Sequence, residues 1–401
     1  MIDTEFIRAC PAGRGLTRGF VLFLIVMVLV ACRQGQPTEP VTLAETLAVA
    51  EVSAEQVEEE KPLPPLETGL IELRDDVFGE IIELKGTSRP VAEVFLIKET
   101  EMLIKDGYLV HKAFPTVGWP VFNIFALPEL KRVKSFGVLG EGPGEFVSPA
   151  IGSTETPGKL FCIYESRQKT LSSVDSKFRL KQKEFTIPLS GLVWYDMLMH
   201  CFSENELFFV AAYRPRGMEI HNARFEAGEV KDKKIHDLSF SPKYKAYTAF
   251  RGAFAASQKK QRLVFAYGLF KRIVFMDPTG SEVRTVFFKS PEPPAGNSAE
   301  MLSPENVAHY WRVSAGDKFI YLTYSGQTTL QSYNDYKKGI GSIFVEQWDW
   351  NGNPVRKFKL DDSGKFCVDE KNNKLYLVSS TKDDDPFVEY DLPPLNSGKI
   401  D

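Results

Sequence analysis

The chain has 401 residues, 43% of them hydrophobic, 25% charged and 12% aromatic, with a formal net charge of −4. This is the composition of a globular protein with ample material for a core. The charge balance excludes the basic footprint of a nucleic-acid-binding protein, and thirty Phe with fourteen Tyr lean the chain toward β-structure.

In chain order, the first segment is a leader. Arg8, Arg14 and Arg18 precede the apolar run GFVLFLIVMVLVA at 19–31. These thirteen residues fall short of the about 20 that span a bilayer, so residues 1–31 read as an export signal peptide. The run ends in LVAC, Leu29 to Cys32, which resembles a bacterial lipobox. The resemblance implies cleavage before Cys32, a lipid on that residue, and attachment to a membrane of the cell envelope. Arg33 stands where Asp would signal inner-membrane retention, which implies the outer membrane. Residues 32–66 then form a tether. Its segment 33–66 carries seven Glu against Arg33 and Lys61 and has no aromatic residue, so it is predicted to be a solvated acidic spacer. The remainder, 67–401, is charge-neutral, which argues against electrostatic capture of a strongly charged partner.

From residue 67 onward the sequence repeats. A compact apolar run recurs as YLVHKA from Tyr108, LFCIYE from Leu160, LFFVAAY from Leu207, LVFAYGL from Leu263, FIYLTYSG from Phe319 and LYLVSS from Leu375. The spacings are 52, 47, 56, 56 and 56 residues. Most copies follow a polar turn: DG, PGK, SENE, KKQR, GDK, KNNK. Hairpins follow most copies, at 121–137, 171–187, 273–288 and 343–360, around turns such as Asp277-Pro278-Thr279-Gly280 and Asn351-Gly352. Repeated units without helical periodicity predict an all-β fold, a six-bladed β-propeller with four-stranded antiparallel blades. Radial packing buries both faces of each blade and leaves only short edges. The last unit, ending in FVEYDL at 387–392, lacks one strand. An N-terminal strand is predicted to close that blade, and GEIIELKG at 79–86 is the expected segment.

Between the first two units lies FGVLGEGPGEFVSP, 136–149. No helix follows it and it contains no Gly-Lys-Ser/Thr, so the features that cradle phosphate are missing. It reads as a structural turn between blades. Pro143 fixes one φ, Gly140, Gly142 and Gly144 admit positive φ, Glu145 is expected to accept backbone N–H bonds, and Phe146 to plug the seam. The G-x-G-P-G-E-F stretch resembles NHL-type and TolB-like six-bladed propellers. YLTYSG (321–326), DWNGNPVRKFKLD (349–361), VDEKNNKLYLVSS (368–380) and EYDL (389–392) resemble the TolB-like six-blade propeller lipoproteins of bacteria, over about residues 70–395. That resemblance implies an exported, lipid-anchored propeller and brings no catalytic motif to these positions.

Catalytic constellations are sparse. His111, His200, His221, His236 and His309 have no HxH or HxxxH spacing, and TKDDDPF (381–387) lacks the alternation of a calcium loop, so no metal or cofactor is expected. Cys162, Cys201 and Cys367 read as buried thiols, two of which would pair only within about 7 Å between Cα atoms. The runs 192–200, 247–254 and 307–315 are candidates for innermost strands. Their Trp194, Tyr195, Arg251, Tyr310 and Arg312 would form an aromatic and cationic mouth for an anion or a sugar. The expected function is a binding or scaffold module in the envelope. Its expected partners are the membrane, through the lipid, and an envelope protein, a glycan or another small molecule. The alternative is a metal-dependent lactonase- or lyase-like hydrolase with its site in the central channel.

Overall fold

The repeated apolar runs become the second strand of each blade, and their burial explains their composition. Leu109, Val110, Leu160, Phe161, Leu263 and Leu375 are all fully buried, because a second strand has a strand on either side and a neighbouring blade on either face. The structure is a computed structural model that describes residues 63–91, 101–114, 116–187, 192–193, 198–213, 217–226, 229–294, 303–338, 340–380, 382 and 387–395. Cys32, Trp194 and Tyr195 lie outside the described residues.

Six blades follow in chain order, each running from an innermost to an outermost strand. Blade 1 holds Glu101–Lys105, Tyr108–Lys112, Phe122–Ala126 and Lys131–Phe136. Blade 2 holds Pro149–Thr154, Lys159–Glu165, Thr170–Asp175 and Leu180–Thr186. Blade 3 holds Met199–Ser203, Glu206–Tyr213, Gly217–Glu226 and Glu229–Asp237. Blade 4 holds Gly252–Ser257, Arg262–Tyr267, Arg272–Met276 and Val283–Phe288. Blade 5 holds Val307–Ala315, Phe319–Thr328, Ile343–Asp349 and Pro354–Leu360. Blade 6 holds Gly364–Asp369, Lys374–Ser379 and Phe387–Asp391, with Thr87–Ser88 as its fourth strand.

The N-terminal segment is therefore the closing element, and it does more than supply one strand. Gly69–Leu73 adds a fifth, parallel strand to blade 4, and Ile81–Leu84 does the same for blade 5. Thr87–Ser88 then pairs antiparallel with Val388 and Glu389 of blade 6. The segment 79–86 thus lines blade 5, and closure falls to the two residues just after it. Between the two added strands, a turn at Asp75–Phe78 inserts Phe78 against Trp348, edge to face at 5.2 Å. Leu66 is buried in the same cluster and its N–H donates to Glu282 at 3.0 Å. Leu66, the last residue of the expected tether, thus packs as part of the strap.

The seam between blades 2 and 3 is also reinforced. Innermost strands pair there directly and in parallel, Ser153 opposite His200 and Thr154 opposite Cys201, so the two blades form one continuous sheet. Gly152 stands opposite Cys162 on the other edge of the same strand. This register brings Cys162 and Cys201 to a Cα separation of 6.8 Å, and they form a disulfide. Two of the three thiols are thus joined rather than packed as separate apolar groups. Cys367 is free and buried, and burial pushes its thiol well up.

The glycine-rich loop joins blades 1 and 2. Val138–Leu139 and Glu145–Phe146 pair in parallel, and the Glu145 carboxylate accepts the Gly142 N–H at 2.8 Å. Gly144 has φ +77°, where a side chain is strained, and a Cβ on Gly140 would collide with the Glu145 carboxylate. Phe146 is buried edge-on to Phe122 at 5.2 Å.

Candidate functional site

The turns between first and second strands all lie at one end of the ring, since every first strand starts at the other end. Together they frame an axial cavity of 640 Å³ to which all six blades contribute. Blade 1 supplies Lys105, Asp106 and Gly107; blade 2 Ser153, Thr154, Glu155 and Pro157; blade 3 His200. Blade 4 supplies Ala256 and Lys259, blade 5 Ala315, Gly316 and Asp317, and blade 6 Asp369, Glu370, Lys371 and Asn372. Leu103, Leu160 and Val368 line it with apolar surface. The lining mixes apolar side chains with many charged and polar ones, in a volume within the range of small-molecule sites.

The rim is stitched across blades. Lys105 Nζ donates to the carbonyls of Thr154 at 2.7 Å and Thr156 at 3.1 Å. Partial burial pulls its ammonium down, against the pull of Asp106 and Glu155. Glu155 of blade 2 accepts the Lys259 N–H of blade 4 at 2.8 Å, bridging over blade 3. Glu370 of blade 6 accepts the N–H groups of Lys318 and Phe319 in blade 5 at 2.8 and 2.9 Å. Its carboxyl is nevertheless raised, because burial outweighs those bonds. Ser153 Oγ and His200 Nδ1 lie 2.7 Å apart, and burial holds His200 at about 3, hence neutral at physiological pH. The side chains that would hold a cation through three or more His, Cys, Asp or Glu ligands do not converge among the described residues.

The predicted aromatic and cationic mouth is distributed differently. Tyr310 is fully buried at the seam of blades 4 and 5, where its hydroxyl donates to Glu346 at 2.9 Å. That differs from the expected place as a mouth residue: Tyr310 points into a seam, in a stretch where register shifts on both sides of it break simple alternation. Its neighbour Trp311 takes the cation instead, with the Arg251 guanidinium 5.7 Å from its ring. Arg251 precedes Gly252–Ser257, at the opposite end of that strand from the axial cavity. Arg312 is half-buried within Val307–Ala315. The axial rim was spelled in the sequence by the polar turns before each repeated run. Turns that recur in register before every second strand must meet at one end of the ring, and that was the available signal.

A family model described as TolB-like 6-blade propeller-like matches residues 77–371. The chain belongs to the TolB-like six-blade propeller family. Among solved structures, it is similar to a DUF4221-family protein from Bacteroides vulgatus, 15% identical with a TM-score of 0.55, over 78% of this chain and 98% of that one. It is also similar to a Bacteroides fragilis protein described as a candidate for export, 11% identical with a TM-score of 0.49, over 80% of this chain and 99% of that one. A search of curated proteins finds no significant match. The likeness to the Bacteroides vulgatus protein speaks to the fold alone.

Proposed function

We propose that this TolB-like propeller is an exported, lipid-anchored binding module of the bacterial cell envelope, and that its ligand enters the axial cavity. The observation that carries the reading is the cavity itself, which every blade lines and cross-blade hydrogen bonds frame. A rigid disc that presents loops around a central mouth suits recognition. The leader and Cys32 supply the address, and the Cys162–Cys201 disulfide fits an oxidising compartment. The ligand is a small organic molecule or glycan whose apolar part meets Leu103 and Val368 while polar groups meet Asp106, Asp317 and Lys371.

Ala315 lies exposed at the mouth, so Ala315→Trp fills the cavity without touching the seams. Thermal-shift screening with glycan and metabolite panels should give hits with the wild type that vanish in Ala315→Trp. Hits that persist there and disappear in Arg251→Ala or Arg312→Ala would move the site to the other end of the channel. Metabolic labelling with a palmitate analogue tests the anchor: the wild type should label and Cys32→Ser should not.

A further inference from the structure

At the seam of blades 4 and 5, two lysines lie almost fully inside the protein. Lys271 Nζ is 4.2 Å from the Phe288 ring centroid and 4.5 Å from that of Tyr324. Lys357 Nζ is 4.0 Å from the same Tyr324 ring. Lys357 is neutralised from within its own blade by Glu346 at 2.9 Å, which is wholly buried. Lys271 is not matched in this way. The carboxylate that pairs with it is Asp75, which reaches in from the turn of the N-terminal strap. The Lys271 side chain is 3% exposed while that of Asp75 is 72% exposed, so the contact is a path from solvent to a buried ammonium. His309 stacks on Tyr324 at 6.0 Å, is 1% exposed, and has no hydrogen-bond partner on either ring nitrogen among the described residues. Trp348, fully buried against Phe78 and Phe288, has an indole N–H likewise without an acceptor there.

An isolated buried ammonium beside a second one is costly, so this seam requires an anion. We propose that Lys271, with His309 beside it, forms a carboxylate-binding site that the strap's own Asp75 occupies in this structure, and for which a small free carboxylate competes. The aromatic rings of Phe288 and Tyr324 hold the ammonium in place by cation–π contact and keep its charge desolvated, which strengthens its grip on an anion. His309 and Trp348 leave hydrogen-bonding capacity for a ligand that fills the seam more fully than a single aspartate. Burial keeps the His309 imidazole down at about 4, with Lys271 adding to the effect, so its ring is neutral and able to donate one N–H. Occupation by an outside carboxylate displaces the turn at Asp75–Phe78, and with it the strap's hold between blades 4 and 5.

The test uses the full chain and formate as the probe. Asp75→Ala opens the site; its melting temperature should fall by several degrees in chloride, and formate at matched ionic strength should restore most of that loss, as a ligand that binds the folded state must. Asp75→Ala combined with Lys271→Met removes the buried charge, and this double variant should gain nothing from formate. Should Asp75→Ala not fold, Asp75→Asn, which keeps the shape of the turn, carries the same comparison. Equal formate responses in the single and double variants would overturn the proposal.

Discussion

The outermost strands of blades 1–3 and those of blades 4 and 5 solve the same problem in opposite ways. An outermost strand has an open edge, which invites pairing with other chains. In blades 1–3 no strand among the described residues covers that edge, which carries exposed lysines: Lys131 and Lys134, Lys181 and Lys183, then Lys231, Lys233 and Lys234. Where these pair, it is within their own blade, as Lys181 does with Glu184 at 2.8 Å and Lys234 with Glu219 at 3.4 Å. In blades 4 and 5 the edge is covered by the strap, and the cations become docking points for strap acids. Glu67 meets Arg284 at 3.3 Å, Glu72 meets Lys289 at 3.2 Å, Glu83 meets Lys359 at 2.9 Å, and Asp75 meets Lys271. A basic residue on or beside an outer strand is thus a guard in one half of the ring and a receptor in the other: Arg284 and Lys359 lie on outermost strands, Lys289 just after one, and Lys271 just before the third strand of blade 4. Most such pairs are exposed and individually weak; the buried Lys271 contact and Phe78 give the strap its hold.

The strongest way to break this contrast is to remove the strap. A chain that begins at Arg89 lacks the fourth strand of blade 6 and the anion for Lys271, and calorimetry should show no cooperative melt. Lys183→Ser or Lys233→Ser, on the edges of blades 2 and 3, should change stability by less than about 0.5 kcal/mol. Acid comes next, and it strikes both halves. Burial holds His111 and His200 at about 3 and His309 at about 4. Their folded values lie below the unfolded value of about 6.5, so the unfolded chain takes up protons first as pH falls. Each histidine should remove about 1.4 kcal/mol per pH unit below about 6.5, until the folded value is reached. Urea titrations at stepped pH should show stability falling below about pH 6.5, and His309→Gln should make that fall shallower.

Two aromatic plugs sharpen the comparison further. Phe78→Ala and Phe146→Ala should each cost about 3–5 kcal/mol. Hydrogen exchange should rise at Gly69–Leu73 and Ile81–Leu84 in the first variant, and around blades 1 and 2 in the second. A pH-dependent effect of opposite sign belongs to blade 3, where His221 bridges Asp232 at 2.8 Å and Glu219 at 3.0 Å. Burial disfavours its charge, but the two carboxylates outweigh that and raise its pKa. Its contribution is present in full below the unfolded value and is lost as pH rises through the folded one. His221→Gln should therefore lose stability at pH 6 relative to the wild type and converge with it at high pH.

Much of this architecture is legible from residue patterns. The second strands announce themselves because burial on all sides leaves them uniformly apolar, and the Gly140–Glu145 loop because few residues fit its turns. Thr87 and Ser88 carry no such mark: a two-residue exposed strand has no periodicity, so the more β-like segment before it is the expected closing strand. The exchange of Tyr310 for Trp311 has a local cause. Register shifts lie between Ala308 and Tyr310 and between Tyr310 and Val313, so simple alternation does not predict which side chain faces the seam. The Cys162–Cys201 pair depends on two blades sharing a sheet, which no single repeat unit encodes. The axial rim is spread over six separate turns in the sequence, and their convergence exists only once the ring is closed.

Residues 63–88 are structural members of the ring. Hydrogen exchange on the intact wild-type chain tests this directly. The amides of Gly69–Leu73 that pair with Arg284–Phe288, and those of Ile81–Leu84 that pair with Lys357–Leu360, should be protected like the second strand of blade 4. Exchange at the rate of an unstructured peptide in both segments, with the blades still protected, would contradict it.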